Sequence, residues 1–112
     1  MPALQKHDIA FNALGDPTRR AIFEKLQHGP LSVVHIAEGM SVSRPAVSQH
    51  LKVLKEAKLI HIHKQGSRSI CGIDREGIIM MRNYLDRFWE DALSAFKRVA
   101  EQEEKINQKA HK

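Results

Sequence analysis

The chain has 112 residues, 42% of them hydrophobic, and a formal net charge of +5. That length suggests one domain, and that apolar fraction suits a globular fold rather than a disordered chain. No run approaches the roughly 20 apolar residues of a membrane span, and the N-terminus has no apolar signal core, so a cytoplasmic protein is expected. The one cysteine, Cys71, excludes an internal disulfide and a multi-cysteine zinc site.

The charge is unevenly placed. Residues 1–73 hold ten Lys/Arg and five Asp/Glu, whereas residues 74–112 hold eight of each. Between 43 and 68 stand Arg44, Lys52, Lys55, Lys58, Lys64 and Arg68 against Glu56 alone. Such a segment is the footprint of a face that binds a polyanion, or else a solvated basic surface.

In chain order, residues 6–14 read as a short helix with Ile9, Ala10, Ala13 and Leu14 on its apolar side, ended by Gly15. Asp16-Pro17 opens a second helix, since aspartate accepts from free N–H groups and proline needs none at the first position. That helix stops at His28-Gly29-Pro30. Ser32 caps a third, short helix that stops near Gly39. Ser43 caps a fourth, with Pro45 in its first turn and Val47, Leu51 and Leu54 as its buried stripe. Its other face carries Arg44, Ser48, Gln49, Lys52 and Lys55, polar and basic groups suited to a DNA groove.

Two β-prone runs follow, 59–63 and 68–73, around a turn at Lys64-Gln65-Gly66-Ser67. A two-stranded ribbon with a basic tip is a wing, its register uncertain by one residue. Asp74 caps a last helix running to about residue 105. Its stripe of Ile78, Met81, Leu85, Phe88, Ala92, Phe96 and Val99 is too long for so small a domain to cover alone. A second subunit is the expected cover, with internal core the lesser alternative.

The fold class is thus mostly α with a small β-hairpin wing: a winged helix-turn-helix over residues 1–112. The helix-turn-helix occupies 32–57, the wing 59–73 and a dimerisation helix 74–105. The sequence says more. Ala13-Leu14-Gly15-Asp16-Pro17-Thr18-Arg19-Arg20-Ala21-Ile22 resembles the segment that opens ArsR-type bacterial repressors. Val42-Ser43-Arg44-Pro45-Ala46-Val47-Ser48-Gln49-His50-Leu51-Lys52-Val53-Leu54 is similar to their recognition helix. The resemblance spans about residues 8–100. It implies a homodimer joined through the first and last helices, with Ile9, Ala13, Met81, Leu85, Phe88, Trp89, Ala92 and Phe96 at or near the interface. It also implies repression of transcription until a signal lowers affinity for double-stranded DNA. Two departures stand out: Ser41 and Lys58 occupy turns where the family commonly has glycine.

In the major groove, Arg44, Ser48 and Gln49 are the candidate base readers, because arginine grips guanine and glutamine grips adenine. Pro45 stands in the same first turn. Lys52, Lys55 and His50 are candidates for phosphate, His50 equally for a packing role. Lys64 and Arg68 would touch flanking DNA. Arg20 is placed to pair with Asp16 at i, i+4.

No metal or cofactor is expected. The stretch that resembles the family's third-helix thiolate site is Ser32-Val33-Val34-His35-Ile36, without cysteine, and residues 74–105 hold no histidine. His61 and His63 share a strand face, and Cys71 joins them in only one of two registers. Tyr84-Leu85-Asp86-Arg87-Phe88-Trp89-Glu90-Asp91-Ala92-Leu93 is similar to the branch of the family that lacks metal ligands, which leaves the effector undefined. A winged-helix module that binds protein instead of DNA is the alternative function. An enzyme is rejected, as no nucleophile–base pair, metal cluster or phosphate-binding loop is present.

Overall fold

A computed structural model describes residues 3–110. The elements are α1 (Lys6–Leu14), α2 (Pro17–Lys25), a 3-10 turn (Leu26–His28), β1 (Leu31–Ser32), α3 (Val33–Glu38), α4 (Arg44–Glu56), β2 (Ile60–Gln65), β3 (Arg68–Ile73) and α5 (Arg75–Ala110). The chain forms two compact units that part between Met81 and Arg82. No helix among the described residues is long and apolar enough to cross a membrane.

In the first unit, the boundaries follow from local chemistry. The Asp16 carboxylate accepts from the Arg19 N–H at 3.0 Å and opens α2. Ser32 Oγ accepts from the His35 N–H at 3.1 Å, and Ser43 Oγ from the Ala46 N–H at 3.3 Å, opening α3 and α4. The Asp74 carboxylate accepts from the Glu76 N–H at 2.9 Å before α5.

Gly15 is not a left-handed stop for α1, since its φ is −68°. Asp16, extended as a residue before proline must be, ends the helix instead. The carbonyls left open are taken by two arginines. Arg19 Nε donates to Ala13 O at 2.7 Å, and Arg20 Nη1 donates to Leu14 O at 3.2 Å. The ion pair with Asp16 therefore falls to Arg19, at 3.9 Å, and not to Arg20. The arginine pair after Asp16-Pro17 is in this way a joint between α1 and α2.

Helix α4 ends in a left-handed turn. Lys58 has φ +64°, its N–H donates to Lys55 O, and the Leu59 N–H donates back to Leu54 O. This pattern normally takes glycine, because a Cβ is strained at positive φ. Glycine does appear at a nearby close approach: a Cβ on Gly77 of α5 would meet the Lys58 carbonyl.

The sheet is larger than the hairpin expected. Its order is β1-β3-β2, all antiparallel, with Leu31 opposite Cys71 and Ile62 opposite Cys71 from the other side. The hairpin turn is shorter than expected: Gln65 pairs with Arg68, leaving Gly66 and Ser67 alone in the loop. Gly66 supplies the positive φ, +64°, that a Gly-X two-residue turn needs. Between helices and sheet lies the core of Ile22, Leu26, Ile36, Val47, Leu51, Leu54, Leu59, Ile60 and Cys71. Each such aliphatic side chain contributes about 1.5–3 kcal/mol on burial.

The second unit is the part of α5 from Arg82 onward. The helix continues to Ala110, past the expected end near 105. None of its described residues is buried. Leu85, Phe88, Trp89, Leu93, Phe96, Val99 and Ile106 are all exposed.

Candidate nucleic-acid interface

Helix α4 has four sides. Val47, Leu51 and Leu54 face the core. Pro45, Gln49, Lys52 and Glu56 recur at i, i+4, i+7 and i+11, and all are exposed; at 3.6 residues per turn this row points away from the core. Arg44, Ser48 and Lys55, also exposed, form a flank between the two. On the other flank stand Val53 and the half-buried His50.

His50 is placed apart from the basic face. The carboxyl of Asp16 is held below its ordinary value chiefly by the Arg19 N–H, with smaller contributions from the Thr18 N–H, the Arg19 charge and the nearby His50 ring. His50 thus reaches toward the start of α2, which favours its packing role over a phosphate contact. The other DNA-facing candidates on α4 are open to solvent.

The wing brings its residues to the opposite flank. Arg44 and Ser48 of α4, Ser67, Arg68 and Ser69 of the wing, and Ser32, Val33 and Val34 at the start of α3 line one groove of about 400 Å³. Lys64 is a strand residue opposite Ser69, on the other face of the ribbon from Gln65 and Arg68. Of these serines, the sequence marks Ser32 as a cap, Ser48 as a base reader and Ser67 as part of the turn, while Ser69 carries no signal; their meeting depends on how wing and helix pack.

The register also decides the metal question for the wing. Opposed residues of an antiparallel pair share a face. Ile62 opposes Cys71, while His61 opposes Gly72 and His63 opposes Ile70. Cys71 therefore faces away from both histidines. Its thiol is fully buried, and that burial raises its pKa, which keeps it protonated and unreactive. His61 and His63 are exposed and stacked, ring centres 5.8 Å apart. Among the described residues, no three His, Cys, Asp or Glu side chains gather as a metal site.

Of the expected interface residues, Phe88 is 60% and Phe96 68% exposed, and Leu85, Trp89 and Ile9 are also exposed. Ala92 and Met81 are half-buried, Met81 against the core. Ala13, at 3% exposure, packs into the subunit's own core, where α1 meets α2 and α4. Leu93 and Ile106 extend the apolar surface beyond the residues expected.

Comparison with known proteins is consistent with this geometry. A helix-turn-helix domain family matches residues 14–63. The HTH-type transcriptional regulator Rv2034 of Mycobacterium tuberculosis is 47% identical over 103 residues, covering 92% of this chain and 96% of that protein. The transcriptional repressor SdpR of Bacillus subtilis is 43% identical over 56 residues, half of this chain and 62% of that one. The crystal structure of an ArsR family transcriptional regulator, RHA00566, matches with a TM-score of 0.72 at 31% identity, covering 77% of this chain and 94% of that one.

Proposed function

The chain belongs to the ArsR family of winged helix-turn-helix transcriptional regulators, and we propose that it acts as a homodimeric repressor that sets α4 of each subunit into the major groove of a palindromic operator. The observation that carries this reading is the exposed face of α4, with Gln49 and Lys52 pointing outward and Arg44 and Ser48 flanking the wing. Gln49 is placed to read adenine. Lys52, Lys55 and Lys64 neutralise phosphates, a sequence-independent contribution that falls with salt.

The dimer is supported by the apolar surface of α5 from Leu85 to Ile106, exposed in the single chain, and by Ile9 on α1. Aromatic side chains left in water across several turns are costly, and a second copy relieves that cost. The cytoplasm is the compartment that fits a DNA-binding regulator. No effector is assigned.

A gel-shift series with the DNA upstream of the protein's own gene tests the reading. Binding is expected at an imperfect palindrome whose half-sites lie ~34–36 Å apart. Equal affinity for that DNA and for random duplex would sink it.

A further inference from the structure

We propose that the groove between α4 and the wing seats a single phosphate of the DNA backbone, held by Arg44 and Arg68 together, so that Arg44 positions the protein and does not read a base. The proposal rests on the DNA-binding reading above and assigns one of its contacts.

The lining is the first argument. Arg44 and Arg68 line one groove together with Ser32, Ser48, Ser67 and Ser69, and no carboxylate stands in its wall. Among the described residues, neither the Arg44 nor the Arg68 side chain makes an ion pair or a hydrogen bond within the chain. Glu38 lines the neighbouring groove with Arg68 but does not pair with it. Two unpaired like charges facing one space repel each other until an anion enters. A guanidinium matches two oxygens of a phosphate, and each hydroxyl adds a donor. One arginine suffices for the two acceptors of a guanine edge, whereas a second guanidinium in the same space calls for the negative charge of a phosphate.

The second argument is direction. Arg44 and Ser48 sit on the wing-side flank of α4, while Gln49 belongs to the row that points outward. An arginine drawn toward the wing reaches the edge of the groove, where the backbone runs. The apolar wall of Val33 and Val34 beside the charges suits the carbons of a deoxyribose. A volume of about 400 Å³ exceeds that of a phosphate alone and leaves space for the sugar.

The test uses the full-length protein, with fluorescence anisotropy at several salt concentrations on the upstream duplex and on a random duplex. Arg44→Ala and Arg68→Ala are expected to weaken both DNAs by the same factor, ~10-fold at low salt. Because the two share one phosphate in each subunit, the double variant of the dimer should lose about 1.8 of the salt slope, about 0.9 per half-site, and either single variant no more than that. Gln49→Ala should weaken the upstream duplex alone. One uncharged methylphosphonate, stepped along the upstream duplex, should weaken the wild type at each contacted phosphate, and at one of these positions per half-site it should leave the double variant unchanged. The proposal is overturned if Arg44→Ala spares random DNA, which would make Arg44 a base reader. It is also overturned if the double variant loses about 3.6 of the salt slope, which would mean two phosphates per subunit. Inorganic phosphate, titrated without DNA and followed by NMR, should bind only at millimolar levels; a micromolar site would instead assign the groove to a free phosphorylated ligand. Wild-type protein that binds neither duplex would instead overturn the repressor reading itself, an outcome visible before any variant is made.

Discussion

The two units of the chain solve the same problem in opposite ways. Up to Met81, a core of large aliphatic side chains is turned inward, and the outer surface carries the positive charge. From Arg82 onward, none of the described side chains is buried, and acidic and basic residues intermix around exposed aromatics. The first unit has a core that stabilises it from within. The second is a single helix, and an isolated helix gains little stability in water without a surface to pack on. One part of the molecule is therefore stable from within, and in the proposed dimer the other depends on how much protein is present.

Paired substitutions sharpen this contrast. Leu54→Ala, in a side chain with 0% exposure, is expected to cost ~2–5 kcal/mol at every protein concentration. Phe96→Ala should lower the melting temperature only where the dimer forms, so that its effect disappears on dilution. Equal losses at all dilutions would mean that Phe96 packs within its own chain.

Phe88→Asp presses on the second unit alone. It puts a charge on an exposed apolar surface, so the single chain should keep its secondary structure while sedimenting as a monomer. With two half-sites no longer linked, operator affinity should fall ~100-fold. A variant that still sediments as a dimer would break the comparison.

Smaller effects belong to the first unit. Lys58→Gly removes a Cβ from a residue at φ +64° and should stabilise by ~0.5–1 kcal/mol, read from denaturant midpoints. No gain would mean that the Lys58 side chain compensates the strain. Asp16 gives the smallest effect. Its carboxyl is held below the ordinary 3.8 by the Arg19 N–H. Its contribution is thus present above that value and drains away as pH falls through the lowered one. Urea midpoints of the wild type at about pH 6 and pH 3 should differ more than those of Asp16→Asn, which keeps a capping oxygen without the charge.

Much of the first unit was legible in the sequence because its boundaries are chemical. Asp16, Ser32, Ser43 and Asp74 each bond to a nearby N–H, so a few neighbouring residues suffice to find them. Lys58 stood out as a residue where glycine is customary, and it holds the left-handed turn. What escaped was set by distance along the chain. Leu31-Ser32 is too short for alternation to announce a strand, and its partner lies about forty residues later. Which flank of α4 faces the wing is likewise absent from helical periodicity, so Arg44 read as equivalent to Gln49. The choice of Arg19 over Arg20 for Asp16 depends on the angle between α1 and α2, which i, i+4 spacing does not contain.

Strand β1 has a mechanical meaning. Ser32 pairs with Ile70 of β3 and also caps α3, so a single residue is stitched to the wing at its backbone and to the helix-turn-helix by its side chain. A hairpin attached only at its base would rock through many tilts in solution, and each tilt frozen out on docking would subtract from affinity. Here the third strand clamps the hairpin to the residue from which α3 departs. The two elements that meet DNA arrive as one stiff calliper, its gap set before the duplex enters.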